Sequence, residues 1–481
     1  MLCKNHTASR RKTYPAWLAL TVILYLGSLT GCLVGPEYQP PQMQVPAGWT
    51  GPASVEPAPV DVQELVHWWT AFNDPALTSL VDRAVAFNLD LKLAEARIRQ
   101  ARAARGIAVA GIGPTVNASG SAVRSRTAIT TANRTQGIIS NLYQTGLDSS
   151  WELDIFGGTR RNIEAAEADL QAAVEDRRDV LVTLTAEVAL NYIDLRAFQQ
   201  RTGIARQNLK AQEHTADLTR KRFEAGFVGR LDVANADAQV ATTASLIPLL
   251  ESSARQAIYS LGILLGREPA ALLEELTPAA AIPAAPPEVP AGLPADMLRR
   301  RPDIRRAEAQ IHSATARIGV ATADLFPKFA LSGSIGYRSN QFSSWVDWVN
   351  RFWSLGPSAS WQIFASGAVR SNIELQKALQ EQALFAYQQT VLTALQDVEN
   401  ALIASAKEAD HLKALTEAVA ANRQAVQLST QLYTQGQIDF LNVLNAQRSL
   451  FVSEDALVQS TGSVSTTLVA LYKALGGGWN N

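Results

Sequence analysis

The sequence predicts a mainly helical chain that carries a membrane β-barrel portion, built from two copies of one unit: a strand hairpin followed by a long helical hairpin. Three observations predict it. Trp151-Glu152-Leu153-Asp154-Ile155-Phe156-Gly157 is answered 210 residues later by Trp361-Gln362-Ile363-Phe364-Ala365-Ser366-Gly367. Residues 159–225 contain no Pro and the single Gly203, and residues 368–435 contain neither. Before each of these stretches the apolar period changes from helical to two, the spacing of a strand.

The repeat runs far beyond the first match. Arg160, Asn162, Ile163 and Glu164 recur as Arg370, Asn372, Ile373 and Glu374, and Phe223, Gly226, Leu231, Val233, Asn235 and Ala236 recur as Tyr433, Gly436, Leu441, Val443, Asn445 and Ala446. Upstream the offset is 213, pairing Asp90, Ala94, Glu95, Ala96 and Ile98 with Asp303, Ala307, Glu308, Ala309 and Ile311, and Pro114 with Pro327. Repetition on this scale makes the repeated unit the thing to read.

The N-terminus reads as a targeting segment. Lys4, Arg10, Arg11 and Lys12 precede an apolar run from Ala16 to Leu29, closed by Leu29-Thr30-Gly31-Cys32. A basic start, a short apolar core and small residues at the break describe a signal peptide over 1–31, and the run is shorter than the ~20 residues a spanning helix needs. The closing motif is similar to a bacterial lipobox, which implies a lipid-modified Cys32; an ordinary signal peptide with an incidental Cys is the alternative. Cys3 lies in the removed segment, so the mature chain would hold one Cys and no disulfide. Loss of residues 1–31, with four basic and no acidic residues, takes Lys+Arg from 43 to 39 against 44 Asp+Glu, a net charge of −5. Nothing basic enough for nucleic acid is present.

After an extended segment over 32–74, the first unit spans 75–267. It opens with a helix from about Pro75 to Ala110, with Leu77, Leu80, Val81, Ala84 and Val85 at helical spacing, and stops at Gly111-Ile112-Gly113-Pro114. Strands follow at about 114–124 and 141–155, then a long helix over 159–225 and a returning helix over 231–265. Along the second strand Tyr143, Leu147, Trp151 and Leu153 share one face, while Gln144, Asp148, Ser150 and Glu152 share the other. One apolar face and one small, polar face suit a strand between lipid and water, although a sandwich strand with one solvated face reads the same way. At 1.5 Å per residue each long helix reaches roughly 100 Å. Leu181, Leu184, Val188, Tyr192 and Leu195, and in the copy Tyr387, Val391, Leu395, Val398 and Leu402, keep three-four spacing, which predicts packed neighbours. A Pro-rich linker over 268–294 leads to the second unit, 295–475, with a helix, strands at about 328–338 and 352–364, a long helix over 368–435 and a helix over 440–475. Residues 476–481 read as a tail.

Four strands leave two open edges, and an unpaired edge in hydrocarbon costs several kcal/mol per group. Four strands also cannot close around a lumen. The residues therefore predict a homo-oligomer with a strand barrel continuous with a helical one, of unspecified copy number.

Trp68-Trp69, then Phe72-Asn73-Asp74-Pro75-Ala76-Leu77, resembles the start of TolC-like outer-membrane efflux channels, in particular the NodT-type outer-membrane factor lipoproteins. Arg299-Arg300-Arg301-Pro302-Asp303-Ile304-Arg305-Arg306-Ala307-Glu308, Ala323-Asp324-Leu325-Phe326-Pro327, and Tyr433 to Leu450 with Asn445-Ala446-Gln447-Arg448 extend the resemblance over essentially the whole mature chain. It implies a homotrimer with a twelve-stranded outer-membrane barrel and a periplasmic α-helical tunnel. It also implies the exit duct of a tripartite efflux system, working with a periplasmic adaptor (membrane fusion) protein and an inner-membrane pump of RND type. Cys32 would carry N-acyl and S-diacylglycerol groups, with no other cofactor. The turns at Gly226 and Gly436 would form a periplasmic tip, with Asp439, Asp232 and Tyr433 as gate candidates. Asp439 stands where related channels place an acidic constriction, whereas a helix-capping role is the alternative for an Asp just past a turn. The family's second aspartate positions read Asn442 and Asn445 here, which thins any acidic ring. Tyr433 is read equally as a gate hydrogen-bonder or a core aromatic, and Arg160 and Arg370 as local caps or pairs at the barrel–tunnel junction.

An enzyme reading finds no support, since His6, His67, His214, His312 and His411 are scattered and neither a phosphate loop nor GxSxG occurs. No Cys/His grouping suggests a metal centre. A lipid-anchored periplasmic coiled-coil or adaptor protein is the alternative from another class, but an adaptor carries one helical hairpin where this chain has two. A general diffusion porin would need many strands in one chain and no long helices.

Overall fold

The computed structural model of the chain describes residues 33–50, 65–127, 139–285 and 294–479. The expected signal peptide over 1–31 and Cys32 lie outside them. The described residues fall into two compact units, one made of residues up to Gln39 with Arg102–Asp169 and Ile311–Gln382, the other of Pro40–Ala101, Leu170–Gln310 and Ala383–Asn481.

The first unit holds an antiparallel sheet, β1 (Thr115–Arg126), β2 (Ile139–Leu153), β3 (Lys328–Ser339) and β4 (Arg351–Ser360), in that order. Because opposed residues share a face, the register sorts the side chains. Ala118, Leu147, Ile335 and Trp353 form one row, and Trp151, Leu331 and Pro357 another. Leu147, Ile335, Trp353 and Leu355 are all exposed, so this apolar face is uncovered in the single chain. The opposite face carries Asn117, Asp148, Ser334 and Ser354, tied by Ser119 Oγ donating to Asp148 Oδ2 (3.0 Å) and by a 2.7 Å Ser334–Ser354 contact. There Gly146 opposes Gly336, where a Cβ would lie 2.2 Å from the Thr145 carbonyl oxygen. β4 stops at Ser360 rather than near 364. Its partner there is Lys328, preceded by Pro327, which has no N–H to continue the ladder.

Trp151 and Trp361 mark the ends of the two hairpins. Each donates its indole N–H to a carbonyl oxygen, of Ile112 at 2.7 Å and of Leu325 at 3.1 Å. The acceptors are themselves repeat mates.

Helices dominate the chain: α1 (Pro75–Phe87), α2 (Leu89–Ala110), α3 (Gly158–Glu224), α4 (Arg230–Leu264), α5 (Pro294–Arg300), α6 (Pro302–Ala323), α7 (Ala368–Thr434) and α8 (Phe440–Ala474). Among the described residues no helix is long and apolar enough to cross a membrane. The single helix expected over 75–110 is two. Asn88 takes ψ 138°, its Oδ1 accepts from Leu91 N (2.9 Å) and its Nδ2 donates to Leu264 O (2.9 Å). A side chain that satisfies backbone groups on both sides competes with continued helix. The second copy breaks at Arg301, before Pro302, where the helical conformation is disfavoured. α1 begins on Asp74, which accepts from Ala76 N and Leu77 N, with Pro75 at the first helical position.

Leu184, Val188, Tyr192 and Leu195 of α3 and Tyr387, Val391, Val398 and Leu402 of α7 are buried as the spacing predicts, while Leu181 and Leu395 are half-buried. Within the segment 32–74, Trp68–Phe72 folds into a 3-10 turn, and Trp68 stacks on Tyr472 at 5.2 Å. The linker also packs: Leu272, Leu276 and Ile282 are buried, and Arg196 donates to Pro278 O at 2.8 Å. The expected tail continues the fold as far as Trp479. Gly478 N donates to Leu65 O (2.8 Å), and the guanidinium groups of Arg178 (4.4 Å) and Arg305 (5.4 Å) both lie against the Trp479 ring. Both arginines also reach the Glu175 carboxylate, at 2.6 and 2.9 Å. Burial still raises the Glu175 pKa, and the two guanidinium groups oppose that shift.

Candidate functional site

The turns between the long helices are built alike. α3 ends with Phe227 N donating to Arg222 O and Gly226 N to Phe223 O, both 2.9 Å; α7 ends with Gln437 N donating to Leu432 O and Gly436 N to Tyr433 O, both 2.9 Å. This Schellman pattern requires a left-handed residue after the helix, and Gly226 (φ +80°) and Gly436 (φ +76°) supply it.

The residues that start the returning helices differ. Gly229 precedes α4, and its N–H donates to Asp232 Oδ2 at 3.3 Å, the return bond of a capping box. Asp439 precedes α8 in the capping position with extended backbone, yet its carboxylate makes no capping hydrogen bond and is exposed. Asn442 and Asn445 are exposed on the next turn. Thus of the two carboxylates Asp232 performs the capping, and the capping explanation for Asp439 has no hydrogen bond to support it.

Tyr433 is buried to 1% exposure in an apolar cluster with Ala216, Ala236, Phe440, Val443 and Leu444. Its ring lies 5.7 Å from Phe440 and 4.5 Å from the Arg222 guanidinium, and its hydroxyl is 3.3 Å from Thr219 Oγ1. Arg222 Nη1 donates to the Tyr433 carbonyl at 2.5 Å. Arg222 therefore ties the end of one helical hairpin to the other. Two turns further on, Gln447 Nε2 donates to Thr215 Oγ1 (2.9 Å) and Arg448 Nε to Gln239 Oε1 (2.6 Å). Arg201 grips Asp455 with bonds of 2.7 and 3.0 Å. Polar side chains therefore join hairpin to hairpin, and such contacts can be exchanged for water or new partners with less loss than apolar packing.

At the base of the sheet Arg160 pairs with Asp154 at 3.2 Å, and Asp154 also caps the start of α3 through Arg160 N (2.9 Å). In the second copy Phe364 replaces Asp154, so Arg370 lacks the equivalent ion pair. Cys32 lies outside the described residues. Among those described, no group of His, Cys, Asp or Glu could hold a metal ion. Sequence reasoning missed Arg222 and Arg161. Arg222 stands beside a turn and was legible as a helix-terminal cation; the i,i+3 pairing of Arg161 with Glu164 is an ordinary helix pair that does not mark it out.

The outer membrane efflux protein family matches this chain over residues 80–267 and 293–477. The chain is 36% identical over 452 residues to nodulation protein T of Rhizobium leguminosarum bv. trifolii, covering 94% of this chain and 96% of that protein. It is 35% identical over 427 residues to the pyoverdine export outer membrane protein OpmQ of Pseudomonas aeruginosa, covering 88% and 89%. The solved outer-membrane channel OprN superposes with a TM-score of 0.87 at 38% identity, covering 93% of this chain and 100% of that one. OpmQ is an outer membrane protein of export and OprN an outer-membrane channel, neither of them an enzyme, and the TolC-like fold of OprN is the one described above. The duplicated hairpins, the two-faced sheet and the matches across both repeats make the chain a member of the outer membrane efflux protein family.

Proposed function

We propose that three copies of this chain form the outer-membrane exit duct of a tripartite efflux system. The observation that carries the reading is the four-stranded sheet with one exposed apolar face, one polar face and, among the described residues, unpaired outer sides on β1 and β4. In a membrane such edges must be closed, and three sheets give twelve strands, enough to surround a water-filled lumen. The long helices then continue the wall as a periplasmic tunnel. An inner-membrane pump, of RND type, and a periplasmic adaptor deliver substrate to the tip at Gly226 and Gly436. Cys32 carries the N-acyl and S-diacylglycerol groups that anchor the chain in the outer membrane. The duct is passive and needs no cofactor.

The tip holds the valve. Three copies of the exposed Asp439 around an axis repel one another and attract cations, so the closed state favours cation passage. The valve opens by moving the α7–α8 hairpin against α3–α4, with Arg222, Tyr433, Arg448 and Gln239 exchanging partners. Asp232 takes part as the cap of the hairpin that stays in place. Gene deletion with a susceptibility panel tests the efflux role and names the substrate class: unchanged sensitivity to every compound overturns it. Channel recordings in planar bilayers test the conduit, for which no conductance would be the contrary result.

A further inference from the structure

A second set of buried polar contacts has no part in the duct or its valve. The segment Leu33–Tyr38 is held against the junction of β2 and α3. Val34 N donates to Phe156 O at 3.2 Å, extending the chain after the strand by one more backbone pair. The Arg161 side chain, only 2% exposed, donates from Nε to Val34 O (3.2 Å) and from Nη2 to Gly35 O (3.5 Å), and pairs through Nη1 with Glu164 at 2.7 Å. Glu164 also meets His312 Nε2 at 3.0 Å, and the His312 ring stacks on Tyr38 at 4.3 Å.

Backbone packing fixes the depth of the segment. Gly35 (φ +90°) lies on Gly319 of α6 so closely that a Cβ at position 35 would fall 2.4 Å from the Gly319 Cα. A Cβ on Gly319 would fall 2.7 Å from Arg161 Cγ, so glycine is required on both sides of this contact.

The repeat separates Arg161 and His312 from the residues that both copies share. The mate of Arg161 is Ser371 and the mate of His312 is Arg99, whereas Glu164 and Gly319 recur as Glu374 and Gly106, and a Cβ on Gly106 would meet nothing within 4 Å. Both copies have a strand–helix junction. A chain has only one N-terminus, and only one junction carries the clamp.

We propose that the groove closed by Arg161, His312 and Gly319 is a docking site for the chain's own lipid-bearing N-terminus, so that the lipid anchor and the sheet meet the membrane in one register. Leu33, the first described residue, directly follows Cys32 in the sequence. The occupant is thus an acylated segment inserting into a lipid surface, and the exposed Ile155 beside the groove is apolar. Arg161 acts as a positioning residue. This rests on the lipoprotein reading of Cys32.

The test uses the full-length protein in cells and after detergent purification. Hydrogen exchange over Leu33–Gln39 is expected to be slow in the wild type and at least tenfold faster in R161S, with β2 and β3 exchanging as before. R161S is expected to lower the early yield of heat-resistant outer-membrane oligomer several-fold, with R161K partly restoring it. In a C32S background, R161S should produce no further loss. G319A, which by helix propensity alone would favour α6, should act like R161S and reports on the groove should R161S fail to fold. Fast exchange in the wild type overturns the clamp. An equal loss from R161S with and without Cys32 also overturns it, leaving Arg161 as a support of the junction. Palmitate absent from Cys32 while Leu33–Gln39 remains protected instead sinks the lipoprotein reading, and with it the anchoring role.

Discussion

Two aspartates, one beside each turn, separate at the residue scale. Asp439→Ala should leave melting nearly unchanged, within ~0.5 kcal/mol for an exposed side chain that caps nothing, while raising single-channel conductance and weakening cation preference. Unchanged conductance would remove Asp439 from the valve. Asp232→Ala should do the reverse, losing about 1 kcal/mol of helix-end stability with little effect on cation preference. Tyr433 makes a second contrast. Tyr433→Phe gives up one 3.3 Å contact to Thr219 and should cost ~0.5–1.5 kcal/mol, whereas Tyr433→Ala opens a cavity in the tip cluster worth about 3–5 kcal/mol; thermal melting of the purified protein measures both. The turns beside these residues were legible from the repeat, and the residues themselves as gate candidates from the family resemblance. Their division of labour was not, because a carboxylate at a helix start reads alike in sequence whether or not it turns back to the backbone. Arg161 was illegible for a different reason: besides Glu164, its acceptors are main-chain carbonyls at Val34 and Gly35, and a carbonyl leaves no trace in composition or spacing.

The elements were legible where one period runs uninterrupted. Long stretches free of Pro and Gly give α3 and α7, and strict alternation gives β2 and β3 with their faces assigned as expected. Boundaries depended on tertiary partners instead. Asn88 divides α1 from α2 because Leu264 O is within its reach, and β4 ends where β3 has no residue left to pair. The tail folds because Trp479 finds two arginines contributed by distant helices. Close approach of β2 and β3 supplies an element-scale prediction. Gly336→Ala should disrupt this pairing, since its new methyl would collide with the Thr145 carbonyl oxygen. The expected result is loss of heat-resistant oligomer in gel analysis, with helical circular dichroism largely retained.

For the whole molecule, the duplication explains why a chain of modest sheet content can serve a membrane. Each copy contributes one strand hairpin and one helical hairpin, so the proposed trimer would have walls of pseudo-sixfold character. On the proposed reading, differences between copies carry the specialised parts: Gly229 against Asp439 at the tip, and Ser371 against Arg161 at the junction. The central claim is that β1 of one copy meets β4 of the next. Oxidative cross-linking in outer membranes tests it most directly, using Ser119→Cys combined in turn with Ser354→Cys, Gly356→Cys and Ser358→Cys on opposed edges. A ladder ending at three chain masses, each chain 51.9 kDa before processing, is the expected result for at least one pair. Cross-links confined within single chains, or a ladder that stops at two or continues past three, would contradict the trimeric barrel.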